Sequence, residues 1–259
     1  MPKEPVIERG IPFPPIDLLA RLLALLDQLI LWNSKFKNRS VSDETLEHLR
    51  RFLIENELTD VKVRVNRLAL ADQYRRLFTN GKIFFLFRIF PGFFVTTLSL
   101  IFERITAGDY YNPFTDTIHI FSDLPPVVVH EGGHAKDFDR QESGGFYALM
   151  RAVPGMDLIQ EDYATTTALE YFQTHQDEQN EIDGYKILYP AYGSYIGAYL
   201  NSVLPFGIGS LGAILGGHYF GRKKARIRKE QYAQAKAKLW RQDQAISKPS
   251  NVLPQSTNR

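Results

Sequence analysis

The chain has 259 residues, 44% hydrophobic and 23% charged, enough for one large domain or two small ones and too apolar for a solvated tail. It has no cysteine, which excludes a disulfide framework and a thiolate metal site, so any metal must be held by His, Asp or Glu. The net charge is only +2 but is segregated: residues 103 to 193 carry five Lys/Arg against sixteen Asp/Glu, and the remainder is strongly basic.

The first fifteen residues mix charges with five prolines and lead to no small-residue cleavage pattern, so they do not read as a secretory signal. Residues 16 to 32 form an amphipathic helix. Asp17, Arg21, Ala24 and Gln28 make one narrow stripe with Asp27 at its edge, and Asp17 and Arg21 are spaced to pair. Such a helix packs on a core or lies in a membrane interface. Residues 43 to 56 read as a helix capped by Ser42, 61 to 65 as a strand, and 70 to 79 as a helix.

Residues 83 to 102 are almost wholly apolar and just long enough to span a bilayer. Arg88 and the Pro91-Gly92 pair argue instead for a segment that breaks and dips, or for a buried core element. Residues 115 to 122 read as a strand ended by Pro125-Pro126, with a helix from about Val127 and another over 155 to 174. The stretch 195 to 220 has no charged residue. Gly212 and Gly216 stand four apart, and Gly209, Ala213 and Gly217 form a second row of small residues at that spacing. This predicts a membrane segment kinked at Pro205, the alternative being a glycine-rich buried hairpin. Residues 222 to 241 carry nine Lys/Arg against Glu230 alone, and predict a basic helix suited to anionic lipid headgroups rather than to nucleic acid. Residues 247 to 259 read as disordered.

The chemistry is carried by His130-Glu131-Gly132-Gly133-His134. On a helix, residues four apart share a face, so both imidazoles can reach one ion. Glu131, on the same turn, is placed to move a proton between a metal-activated water and a leaving amine. Two helical glycines cost about 1 kcal/mol each, which predicts a neighbouring strand or a substrate pressed against them. A catalytic zinc needs a third protein ligand and an open position. Glu161, on the following helix, is the leading candidate. Asp157, Asp162 and Glu170 are near competitors, and Glu178 and Glu181 more distant ones.

HEGGH followed by a helix with Glu161-x-x-Ala164 resembles the gluzincin group of zinc metallopeptidases over roughly residues 115 to 172. The resemblance implies zinc held by His130, His134 and Glu161, with Glu131 as general base. The group usually has Asp four residues after the ligand glutamate, orienting the first histidine. Here that position is Thr165, whose hydroxyl accepts more weakly, unless Asp137 or Asp139 takes over. In such enzymes the edge strand before the active-site helix binds extended substrate by strand addition. That points to residues 117 to 121, where His119 reads as a packing residue rather than a ligand. Tyr189, Tyr192 and Tyr195 are candidate donors to a developing oxyanion.

The expected fold class is α+β, mainly helical: a zincin-like helix pair with a small sheet and apolar membrane-associated helices. The expected divisions are an N-terminal helix over 1 to 37, a metallopeptidase domain over 38 to 189 interrupted at 83 to 102, a membrane segment over 190 to 221, and a basic tail over 222 to 259. If both apolar stretches cross a bilayer, strand 61 to 65 is parted from the catalytic helix. The expected function is a membrane-associated zinc metallopeptidase acting on peptide or protein substrates. The alternative is a non-catalytic zincin-like scaffold or metal-binding protein.

Overall fold

In the computed structural model, residues 3–11, 14–106, 108–150, 153 and 155–246 are described. About 70% of the described residues are helical and one small sheet completes the fold, so the class is α+β. The sheet holds β1 (Ile7–Arg9), β2 (Lys62–Val65), β3 (Tyr110–Asn112) and β4 (Thr117–Ile120) in the order β1-β2-β4-β3. The first three in that order run parallel, and β3 closes one edge antiparallel to β4. On the central strands Val63, Val65, Ile118 and Ile120 are buried on one face and Arg64, Thr117 and His119 on the other, so both faces of the sheet are covered.

The pairing of β2 with β4 resolves the topology of the apolar stretch between them. The chain leaves the sheet at residue 65, returns to it at 110 with β3, and at 117 with β4 as the parallel neighbour of β2, so residues 83 to 102 begin and end on one body. They form a short helix α4 (Phe85–Phe87), a wide π turn (Arg88–Gly92) and α5 (Phe93–Thr106), after α3 (Leu70–Thr79). Pro91 accounts for the break: it has no N–H to donate, and its ring clashes with the preceding turn.

α1 (Pro14–Leu31) is turned opposite to a core-packed helix. Its narrow stripe faces the protein: Ala20 and Ala24 are buried, Gln28 donates to the Phe36 carbonyl, Asp27 pairs with Lys37, and Asp17 pairs with Arg39. Leu31 is buried with them, and the other leucines of α1 face outward.

α2 (Asp43–Glu55) follows its predicted bounds closely. The Ser42 hydroxyl accepts from the Thr45 amide, and Leu46, Leu49, Phe52 and Leu53 make its buried stripe. Asp123 accepts from the Ser42 amide and from the Ser42 and Thr45 hydroxyls, which fixes this helix start beside the next element of the core.

That element is α6 (Pro125–Asp139), opened by two prolines where the first helical amides need no partner. Val127, Val128, Val129, Ala135 and Phe138 are buried around it, so α6 is a central rod and not a surface helix. It packs against α2 and against α8 (Met156–Thr174), with α7 (Gly144–Met150) between α6 and α8 in sequence.

α9 (Glu178–Leu200) and α10 (Ile208–Ile246) form a long antiparallel hairpin. Of the two glycine rows, only one is used for close approach: a Cβ on Gly217 would fall 2.5 Å from the Tyr189 carbonyl oxygen, and one on Gly209 2.6 Å from Leu200. A Cβ on Gly212 or Gly216 would meet nothing within 4 Å. Deeper along the pair, Glu181 is fully buried and accepts from Arg228 and Tyr232. The uncharged stretch 195 to 220 is therefore the turn end of a helical hairpin, reversed at 201 to 207, and not one continuous helix. Among the described residues no helix is long and apolar enough to cross a membrane. The divisions expected after 189 and after 221 fall inside α9 and α10, while residues 247 to 259 lie outside the described residues.

Candidate metal centre

Two close contacts set the position of the histidine-bearing helix. A Cβ on Gly133 would lie 3.0 Å from the Cα and carbonyl oxygen of Ala164 on α8. A Cβ on Gly132 would lie 2.7 Å from the Phe52 ring on α2. The cost of two glycines is thus offset by helices on both flanks, and not by a strand or a substrate as the sequence suggested. Gly133 brings α6 and α8 to backbone contact one turn from Glu161.

Across that contact the predicted residues converge. His130 Nε2 is 3.2 Å from one Glu161 oxygen, and His134 Nε2 is 3.3 Å from the other. The three offer ligand atoms all within 4.8 Å of one another, and all three residues are buried. Burial alone would raise the Glu161 carboxyl pKa. The His134 and His130 rings beside it outweigh that and hold it well below the ordinary carboxylate value. A buried carboxylate between two imidazoles is a donor set that can hold a divalent metal. It suits zinc and also other first-row ions.

The competing carboxylates are engaged elsewhere. Asp157 accepts from Tyr199, and Glu178 and Glu181 pair with Lys236 and Arg228. Asp162 and Glu170 are exposed on α8.

Thr165 stands where the sequence placed it, with its hydroxyl 3.4 Å from His130 Nδ1. Asp137 and Asp139 do not take over the orienting role. Asp137 accepts from Tyr147 and Gln141, and Asp139 pairs with Lys82. The orienting contact is therefore a long one from a neutral hydroxyl. Replacing Thr165 by Val is expected to weaken metal binding by about tenfold, the low end for such outer contacts, whereas Thr165→Asp tightens it. Competition against a chromogenic chelator measures both.

Glu131 is buried beside this group and lines two cavities that meet there. One, of about 340 Å³, also touches His130, Thr165, Asp27, Ile30 and Tyr195. The other, of about 470 Å³, touches His134, Tyr110, Asn112, Val95 and Tyr195. Glu131, Glu161, Asp109 and Tyr195 border both, so the two chambers flank the centre.

Of the three tyrosines, Tyr195 alone reaches both chambers. Tyr192 spends its hydroxyl on the Leu158 carbonyl at 3.3 Å, and Tyr189 packs on Tyr185. His119 is fully buried, stacked on Tyr110 at 4.5 Å and 2.6 Å from the Gln73 side chain, a packing residue.

The strand beside the cleft is not the one expected. β4 is interior, and the edge is β3, whose three residues line the larger chamber. Asp109, just before β3, fixes that edge by accepting from the Phe121 and Ser122 amides at 2.7 and 2.9 Å. Neither feature was legible, because three residues show no alternation and an aspartate accepting backbone amides has no sequence signature. Compared with protein-family models, with curated proteins and with solved structures, the chain gives no match.

Proposed function

We propose that this chain is a zinc-dependent metallopeptidase. The observation that carries the reading is the convergence of His130, His134 and Glu161 on one point, with Glu131 buried next to it at the junction of two chambers. A zinc ion held there would act as a Lewis acid on water and on a scissile carbonyl. Glu131 would take the proton released by the attacking water and hand it to the leaving amine. The Tyr195 phenol, bordering both chambers, would donate to the oxygen on which negative charge develops. β3 is the edge strand and lines the larger chamber, where an extended peptide would add to the sheet, which favours a peptide over a small substrate.

A second reading is a non-catalytic metal-binding protein. The long Thr165 contact favours it, since a loosely oriented ligand suits a site under no demand for turnover. Hydrolysis of an unstructured protein, abolished by chelation and restored by zinc, tests the first reading. A metal-loaded protein that cleaves no peptide at any concentration would favour the second.

A further inference from the structure

Three stretches of the chain carry large apolar side chains that the fold leaves exposed. On α1 these include Leu22, Leu26 and Leu29, the last 70% exposed. On α4, the π turn and α5 they include Phe85, Phe90 and Phe94, with Phe90 73% exposed. On α10 they include Ile208, Leu211, Leu215 and Tyr219, a stripe at helical spacing. α1 packs against α5 and against α9, the partner of α10, so the elements that carry these faces adjoin. Monomeric soluble proteins rarely expose contiguous apolar patches beyond a few hundred Å².

Positive charge stands beside this surface. Arg222 lies over the Trp32 ring at 4.2 Å, Trp32 stacks on His218 at 4.0 Å, and His218 Nε2 is 2.8 Å from the Ile30 carbonyl oxygen. That cluster pins the start of the basic stretch of α10 to the end of α1. Lys223, Lys224, Arg226 and Lys229 follow, all exposed. Leucines outward with cations alongside is the pattern of a protein that lies in a bilayer interface.

The same faces rim the cleft. Ile30, an exposed residue of α1, lines the smaller chamber, and Val95, an exposed residue of α5, lines the larger.

We infer that α1, the α4–α5 segment and the turn end of the α9–α10 hairpin seat the protein in the interface of an anionic phospholipid bilayer. The cleft then opens at the lipid boundary, and its substrates are peptide segments held there. The substrate half of this inference rests on the peptidase reading; the docking half does not.

Vesicle co-sedimentation tests the docking half, with vesicles of phosphatidylcholine alone or mixed equally with phosphatidylglycerol. Wild type is expected to sediment with the anionic vesicles. Leu22→Glu/Leu26→Glu should remain in solution with both kinds. Lys223→Glu/Lys224→Glu/Arg226→Glu should lose at least about a hundredfold in affinity for the anionic ones, near fivefold per charge. His134→Ala should sediment like wild type, separating docking from the metal. All substituted surface positions are exposed, and unchanged melting temperatures would confirm folding. Wild type left in solution with anionic vesicles would overturn the proposal. So would a dimer, seen by light scattering and dissolved by the two glutamates, that takes up no lipid. For the substrate half, a peptide tethered to vesicles should be cut faster than the same peptide free, and the difference should vanish in Leu22→Glu/Leu26→Glu. Equal rates on tethered and free peptide would overturn that half while leaving the peptidase reading intact. Cleavage of neither would count against the peptidase reading and the substrate half together, with docking decided by sedimentation alone.

Discussion

Replacing Glu131 by Gln is expected to leave bound metal at the wild-type level and to lower peptide hydrolysis by about 10²- to 10⁴-fold, the usual contribution of a positioned general base. The two outcomes separate because they depend on different atoms. The ligand atoms that converge belong to His130, His134 and Glu161, and Glu131 is not among them. The amide keeps the size and buried position of the carboxylate, so packing on α6 is preserved. What is lost is the capacity to accept a proton, and a thousandfold loss corresponds to about 4 kcal/mol of barrier. Metal content by elemental analysis and turnover on an unstructured protein, taken on one preparation, check the pair. Undiminished turnover in the variant would remove Glu131 from the chemistry.

Replacing Gly133 by Val is expected to cost stability and metal together, although every residue of the site is retained. A branched side chain cannot fit where a single Cβ would already press within 3.0 Å of the Ala164 backbone. α6 must move away from α8, and overpacking of this kind costs about 1–3 kcal/mol. Because His130 and His134 ride on α6 and Glu161 on α8, the same movement opens the ligand triangle. Gly212→Val is the control. Nothing lies within 4 Å of a Cβ there, and an exposed helical substitution of this sort stays within about 0.5 kcal/mol. Urea denaturation midpoints and chelator competition report both effects. A Gly133→Val protein as stable and as metal-avid as wild type would show that the glycine contact does not set the spacing of the site.

Much of the candidate site was legible because its logic is local. His130, Glu131 and His134 lie on one helical turn and Glu161 stands on the next long helix, so helical periodicity alone puts three of the four candidates side by side. α2, α3 and β2 were legible for the same reason, each carrying its own cap or alternation. What could not be read was orientation. The narrow stripe on α1 defines two faces without saying which one meets the protein. Lys37, Arg39 and the Phe36 carbonyl claim the stripe and turn the leucines outward. The uncharged stretch over 195 to 220 has the composition of a membrane helix, yet its glycines at 209 and 217 fit it against α9 as a hairpin. The edge strand was missed because β3 is three residues long and exists only through its pairing with β4. Each miss depended on a tertiary partner far away in sequence.

Whether His130, His134 and Glu161 together hold one metal ion is decided by elemental analysis of the protein purified under zinc-replete conditions, alongside His134→Ala and Glu161→Ala. One zinc per wild-type chain, lost in both variants, is the expected result. A folded wild-type protein with no metal, or full zinc retained in Glu161→Ala, would contradict it.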